Sequence, residues 1–190
     1  MPAYDDPGYF EQLYARDPDP WKFATSDYER DKYAATLAAL PSRRFRRAFE
    51  VGCSIGVLTR QLAARCNAIL AVDVAEAALQ GAAARCQDQS HVQFARMVVP
   101  QEWPPGAFDL ILFSEVLYYL DDTDRAAAAR LSLQSLSPGG AMILVNWHGP
   151  TDGFCTGDDA AEAMIAACAP ALRPVTRQRA EKYRLDVLAA

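Results

Sequence analysis

An acidic residue and two glycines lie close together in the segment AFEVGCSIGVLTRQL, residues 48–62. Gly52 and Gly56 lack a Cβ, so the backbone at these two positions can approach a bound molecule closely. Glu50 lies in the apolar run before them, where a carboxylate is costly unless a cation or a hydrogen-bond donor meets it. This combination predicts a ligand loop, and a ligand with a positively charged amino group suits Glu50 better than a pyrophosphate.

The loop differs from the dinucleotide-binding fingerprint GxGxxG, because position 54 is Ser and position 57 is Val. The missing third glycine and the presence of Glu50 exclude a nicotinamide-dependent dehydrogenase. We interpret Cys53 as a small packing residue of this cofactor loop rather than as a nucleophile. The alternative interpretation of the whole segment is a strand-to-helix turn with incidental glycines.

A second acidic residue, Asp73, follows the next predicted strand, AILAVDV. A carboxylate at the end of that strand can accept two hydrogen bonds from the hydroxyl groups of a ribose. The alternative is an N-cap for the helix that AEAAL begins. Because Glu50, Gly52 and Gly56 precede it, we favour the ribose role.

Polar side chains also follow two later predicted strands. Ser114, Glu115 and Tyr118 come at the end of FDLILFSEVLYYL, residues 108–120, and His148 follows AMILVNW. A histidine or a carboxylate there could accept a proton from a substrate, and Tyr118 could orient the substrate. The alternatives are a loop histidine near solvent and, for Tyr119, an ordinary core aromatic.

Strands alternate with helices along most of the chain, which predicts an α/β fold with a doubly wound, mostly parallel sheet. The last two strands, RPVTRQRA and YRLDVLA, have no long helix between them and should form an antiparallel hairpin. We expect SPGG to terminate the helix before AMILVNW. Ligands bind such sheets at the carboxyl ends of the strands, where the residues above lie.

The composition fits one domain, residues 1–190, with a net charge of −5. This charge argues against nucleic acid as a partner. The five cysteines have no CxxC spacing, which argues against a disulfide framework and against a metal site. This cysteine usage is consistent with a reducing cytoplasm. We expect no signal peptide and no membrane span. A monomer and a homodimer both remain open.

Several segments together resemble class I S-adenosylmethionine-dependent methyltransferases: EVGCSIG, Asp73, FDLILFSEVLYYL and LSPGGAMILV. DPDPWKFATSDYERDKYAATLAAL, EVGCSIGVLT and SEVLYYL are similar to the nodulation protein S (NodS) group, whose members N-methylate the free amine of a deacetylated chitooligosaccharide. The resemblance implies a Rossmann-like, seven-stranded core over residues 43–190 and an N-terminal helical lid over residues 1–42. It also implies S-adenosyl-L-methionine as the cofactor.

In this family Glu50 and Gly52 would hold the methionine part of the cofactor, Gly56 would shape the loop, and Asp73 would bind the ribose. An acid that often contacts the adenine is missing after the third strand, so backbone groups would make that contact. The remaining residues that the resemblance places near the cofactor are Val74, Met97 and Val98 at the adenine, Ser114 and Glu115 near the sulfonium, and Trp21, Tyr28 and Arg30 in the lid.

The predicted activity is methyl transfer to an amine of a small molecule or an amino sugar, with a deacetylated chitooligosaccharide as one candidate. An amine must lose a proton before it attacks, and His148 or Glu115 could receive that proton. Two alternatives remain: an O-methyltransferase, which should need a stronger base or a metal, and a cofactor-binding module without catalysis. The loop WHGPTDGFCTG lies where acceptor specificity is usually set.

Overall fold

The computed structural model describes residues 8–190. The chain divides into two compact units, residues 1–97 and residues 98–190. The prediction of one domain over residues 1–190 stays a prediction. None of the described helices is long and apolar enough to cross a membrane.

The first unit contains four α-helices and three strands within its described residues. In chain order these are α1 (Tyr9–Arg16), α2 (Asp27–Ala39), β1 (Ala48–Val51), α3 (Val57–Leu62), β2 (Ile69–Asp73), α4 (Glu76–Arg85) and β3 (Val92–Arg96).

The second unit contains four strands and two α-helices. In chain order these are β4 (Phe108–Ser114), α5 (Asp122–Ser135), β5 (Leu136–Trp147), α6 (Gly157–Cys168), β6 (Arg173–Arg179) and β7 (Tyr183–Ala189).

In the first unit the strands follow the order β3–β2–β1, and in the second unit they follow the order β4–β5–β7–β6. β1 pairs with β2 in parallel, β2 with β3 in parallel, and β4 with β5 in parallel. β7 runs antiparallel to both β5 and β6. The predicted α/β fold with a mostly parallel sheet and a closing antiparallel hairpin is therefore confirmed.

The most apolar predicted strand, β4, is buried along Phe108–Phe113, and β5 is buried from Gly140 to Asn146. A run without polar alternation is typical of a central parallel strand that helices cover on both faces. The cysteines predicted on helix faces also lie in the core, since Cys66, Cys86 and Cys168 are all buried.

Helix termini follow the local chemistry that the sequence indicates. Asp121 caps α5 by accepting a hydrogen bond from the Asp124 N–H at 2.7 Å, and Thr156 caps α6 by accepting one from the Asp159 N–H at 3.1 Å. Acidic residues in the first turn of each helix also interact favourably with its dipole.

The SPGG segment differs from its prediction. Helix α5 ends at Ser135, and SPGG lies inside the range of β5. The pairing of β4 with β5 shifts there, because Phe108 pairs with Leu136 whereas Leu110 pairs with Ala141. The segment therefore forms an irregularity at the start of the strand, and regular pairing begins at Ala141.

Candidate functional site

The loop after β1 has a left-handed backbone at three positions. Gly52 has φ +77°, Ser54 has φ +48° and Gly56 has φ +75°. A Cβ at position 56 would lie 2.9 Å from the Cα of Ala82, so a glycine there lets the start of α3 pack directly against α4. The role predicted for Gly56 at the cofactor stays a prediction.

Glu50 lies in β1 directly before this loop and is 1% exposed. Its Oε2 has no hydrogen-bond partner among the described residues 8–190. Burial raises the pKa of Glu50 to about 7; the negative charge of Asp73 adds to this rise, while the hydroxyl of Thr59 opposes it. A buried carboxyl group of this kind is stabilised in its charged form when a cation or a donor reaches it.

Asp73 ends β2, and both of its carboxylate oxygens accept backbone hydrogen bonds. Oδ2 accepts from the Ser54 N–H at 2.8 Å, and Oδ1 accepts from the Ala75 N–H at 3.0 Å. Burial raises the pKa of Asp73, although the N–H groups of Ala75, Ser54 and Val74 oppose this. The N-cap position of α4 is occupied by Ala75, so Asp73 is not that cap but a carboxylate fastened to the loop after β1.

Cys53 is buried in the same loop, and burial, together with the nearby carboxylates, raises the pKa of its thiol. A thiol held in its neutral form is a poor nucleophile. This agrees with the interpretation of Cys53 as a packing residue.

Two residues of α1 were missed from the sequence: Tyr14, which contacts this loop, and Glu11, which contacts the first turn of α4. The buried Tyr14 hydroxyl donates a hydrogen bond to Ser54 Oγ, and the Glu11 carboxylate accepts one from the Ala77 N–H at 3.3 Å. Phe10 and Tyr14, four residues apart, pack on the cluster that Ile55 belongs to. That spacing is the sequence signal that could have identified α1 as an amphipathic helix.

The predicted lid residues differ in their surroundings. The Trp21 ring lies edge-on to Tyr14, with ring centroids 5.6 Å apart, so it belongs to the group around the loop. Arg30 is exposed and pairs with Asp27 and Asp31 of its own helix. Tyr28 lies on the same helix, with the Lys32 Nζ 5.3 Å from the centroid of its ring. The lid roles of these residues stay predictions.

Two of the residues predicted at the adenine, Met97 and Val98, follow β3. The Met97 N–H donates to the Asp73 carbonyl at 3.0 Å. The Val98 N–H donates to Glu102 Oε2 at 2.6 Å, and the Val98 side chain is 39% exposed. The sequence interpretation assigned backbone groups at this position to the adenine. In the structure the Val98 N–H already has an acceptor in Glu102, an acid four residues further along the chain that the interpretation did not consider.

In the second unit, Glu115 follows β4 with φ +58°, an uncommon conformation for a residue other than glycine. Its Oε2 accepts two hydrogen bonds, from the Trp147 N–H at 2.7 Å and from the Tyr118 hydroxyl at 3.0 Å. Ser114 pairs with Val145 in the β4–β5 register. The structure thus brings Glu115 and Tyr118 into contact where β4 ends, next to Ser114.

His148 follows β5 and is attached to the turn between β6 and β7. Its Nε2 lies 3.1 Å from the Ala180 carbonyl oxygen, and its N–H donates to the Lys182 carbonyl at 3.2 Å. If Nε2 carries the proton, only Nδ1 remains as an acceptor. In that tautomer Nδ1 could still accept a proton, so the catalytic role of His148 stays a prediction.

The loop after His148 is hydrogen-bonded to Tyr118. The Phe154 N–H donates to the Tyr118 carbonyl at 2.8 Å, and a Cβ at Gly153 would collide with that carbonyl. Phe154 is 46% exposed. A chain segment that packs on Tyr118 and presents an aromatic side chain can contribute to the recognition of a substrate.

A family model described as Nodulation protein S (NodS) matches residues 9–183. The chain belongs to the NodS family. This confirms the resemblance that the sequence motifs indicated.

Curated relatives include Nodulation protein S of Bradyrhizobium diazoefficiens, 36% identical over 129 residues, and that of Sinorhizobium fredii, 33% identical over 127 residues. Each match covers 66% of this chain, and 61% and 59% of the two relatives respectively. The chain therefore spans less than two thirds of the length of these NodS proteins.

A solved structure of the N-methyltransferase NodS from Bradyrhizobium japonicum, in complex with S-adenosyl-L-homocysteine, has the same fold as this chain. The TM-score is 0.81 at 26% identity, and the match covers 99% of this chain and 98% of the other. The Rossmann-like methyltransferase fold implied by the NodS resemblance is thereby confirmed.

Proposed function

We propose that this chain is an S-adenosylmethionine-dependent N-methyltransferase that acts on an amine of a small molecule or an amino sugar. The observation that carries the proposal is the buried Glu50 carboxyl group, whose Oε2 has no hydrogen-bond partner in residues 8–190, directly before a loop with two left-handed glycines. Membership of the NodS family supports the same conclusion.

The residues of the first unit fit the proposed cofactor. Glu50 would accept hydrogen bonds from the ammonium group of its methionine part, and Gly52 would let the backbone approach it. Asp73 would bind the ribose hydroxyls with the lone pairs that the Ser54 and Ala75 N–H groups leave available, since an ionised carboxylate has about four acceptor positions. Val74 and Met97 would contact the adenine.

When bound, S-adenosylmethionine supplies a methyl group on a positively charged sulfur, which is already a good leaving group. The protein then has to orient the acceptor, exclude water and keep the amine in its neutral form. Orientation alone contributes up to about 7–11 kcal/mol in ideal cases.

Glu115 is the stronger candidate for the group that receives the proton of the amine. Two donors, the Trp147 N–H and the Tyr118 hydroxyl, fix its carboxylate. A fixed carboxylate can also hold the ammonium form of an acceptor before that proton is lost. Tyr118 would then act by orienting Glu115.

The finer proposal for the acceptor is an amino sugar such as a deacetylated chitooligosaccharide. It rests on the NodS relatives and on the aromatic Phe154 in the loop fastened to Tyr118. Aromatic side chains cover the apolar faces of sugar rings, and a carboxylate pairs with an amino group.

The test measures methyl transfer from S-adenosylmethionine to glucosamine, deacetylated chitooligosaccharides and simple amines. Glucose and acetylated chitooligosaccharides serve as matched acceptors without the free amine. We expect turnover only with free amines. Turnover with glucose instead would indicate an O-methyltransferase, and cofactor binding without turnover on any acceptor would indicate a binding module.

Glu115→Gln and His148→Ala separate the two candidate proton acceptors. We expect a kcat loss of about 10²–10⁴-fold for Glu115→Gln, the range typical of general acid–base groups, and little change in the pH profile for His148→Ala. A large loss in His148→Ala, with Glu115→Gln unaffected, would reverse this assignment.

A further inference from the structure

We propose that Tyr14 is a positioning residue for the ribose end of the cofactor site, acting through Ser54 on Asp73. The inference rests on the proposed function and adds a residue of α1 to it. Tyr14 contacts neither Glu50 nor Asp73 in a hydrogen bond of its own; its effect passes through the loop after β1.

Three groups form a continuous chain of hydrogen bonds. The Tyr14 hydroxyl donates to Ser54 Oγ, and the Ser54 N–H donates to Asp73 Oδ2 at 2.8 Å. The side chain and the backbone of one residue thus connect α1 to the end of β2. A shift of Ser54 would therefore move a donor that holds Asp73.

Ser54 has φ +48°, a conformation that costs energy for a residue with a Cβ. Such a conformation persists only when the surroundings fix it. The hydrogen bond from Tyr14 and the one to Asp73 fix Ser54 from two directions. Removing either bond should let the loop relax towards a commoner backbone conformation.

The hydroxyl of Tyr14 is needed for more than packing. Tyr14 is 5% exposed and lies in an apolar cluster with Ile55, Ala75 and Ala78. A buried hydroxyl without a partner is costly, whereas a phenylalanine would fill such a cluster at no polar cost. The presence of a tyrosine is explained if the bond to Ser54 has a purpose.

Glu11 provides a second connection between α1 and the same region. Its carboxylate oxygens lie 3.3 and 3.4 Å from the Ala77 nitrogen, in the first turn of α4. An acidic group there is favoured by the helix dipole. Since α4 begins soon after Asp73, α1 is attached on both sides of that residue, through Ser54 and through Ala77.

The experiment measures the dissociation constant of S-adenosylhomocysteine for wild type, Tyr14→Phe, Ser54→Ala and the double variant by calorimetry. We expect each single change to weaken binding about three- to tenfold, the range for loss of one hydrogen bond. The double variant should lose no more than one single variant, because both changes break the same chain.

Tyr9→Phe is the matched control. Tyr9 lies on the same helix and packs edge-on against Phe10, and its side chain is partly exposed. We expect it to leave the dissociation constant unchanged. Urea unfolding of the unbound proteins separates affinity from stability, since a merely structural Tyr14 would lower stability and leave affinity unchanged.

The outcomes distinguish this inference from the proposed function. Absence of binding by the wild type would refute the proposed function and this inference with it. Binding by the wild type with an unchanged dissociation constant in Tyr14→Phe would refute the inference alone. Additive losses in the double variant would show that Tyr14 and Ser54 act separately, which also overturns it.

Discussion

Replacing Glu50 by Gln should change how the stability of the unbound protein depends on pH. Burial raises the pKa of Glu50 from 4.5 to about 7. Between these two values the unfolded chain releases the proton, whereas the folded protein keeps it. The free energy of unfolding of the wild type therefore falls as the pH rises through this window, and the loss is complete above pH 7.

The size of this loss follows from the difference between the two pKa values. One pKa unit corresponds to about 1.36 kcal/mol, so the rise to about 7 corresponds to roughly 3 kcal/mol of stability. Gln has no proton to release and lacks this dependence. Between pH 4.5 and pH 8, the unfolding free energy of Glu50→Gln should therefore rise relative to that of the wild type by roughly 3 kcal/mol.

Urea unfolding at several pH values between 4.5 and 8.5 measures this difference. Glu181→Gln, at an exposed position in the turn between β6 and β7, is the matched control for removal of one carboxylate. We expect its curve to stay parallel to that of the wild type. If the Glu50→Gln curve is also parallel, the buried carboxyl group is ionised at no cost, and the reasoning about Glu50 fails.

The same variant should bind S-adenosylhomocysteine more weakly, although the change removes the stability cost of the buried carboxylate at pH 8. If an ammonium group pairs with Glu50, binding near pH 6 should release up to about one proton, because the pair favours the charged carboxylate. Calorimetry in buffers of different ionisation enthalpy detects this proton. Uptake of a proton on binding would contradict the proposed contact.

The remaining predictions concern packing and buried charge. Gly56→Ala should cost about 2–4 kcal/mol of stability in urea unfolding, because its Cβ would collide with the backbone of α4. Gly139→Ala, where φ is a similar +71° but the space is open, should cost only about 1 kcal/mol. Equal costs would refute the steric argument. Arg184→Met should lower the free energy of unfolding by about 3–5 kcal/mol, because Asp186 is 1% exposed and loses a partner at 2.8 Å. Arg173→Met, at an exposed position, is the control. A cost below about 1 kcal/mol for Arg184→Met would contradict the prediction.

The strands were predictable where hydrophobic runs are short and bounded by polar residues. β7 spans Tyr183–Ala189, as the run YRLDVLA predicts, and β4 begins at Phe108 as predicted. Their burial depends on the run itself, which is visible in the sequence. The SPGG segment was not predictable in this way, because its place in β5 depends on a register shift against β4.

The loop after β1, where we propose that the cofactor binds, was predictable to a greater extent than the contacts that hold the loop in place. Glu50, Gly52 and Gly56 stand within one segment, so their spacing alone indicates a ligand loop. Tyr14 hydrogen-bonds a residue 40 positions away, and no local pattern announces such a contact. Glu102 was missed for another reason, since an acid was expected directly after β3 rather than in the following turn.

The acceptor side that we propose depends on contacts between loops. Glu115 is held by the Trp147 N–H and by Tyr118, and the loop that follows Trp147 returns to Tyr118 through Phe154. A change in the length or sequence of that loop would therefore move the carboxylate as well as the aromatic side chain beside it. Acceptor preference in this chain should consequently change when the loop is replaced, whereas the affinity for S-adenosylhomocysteine should change when Glu50 is replaced.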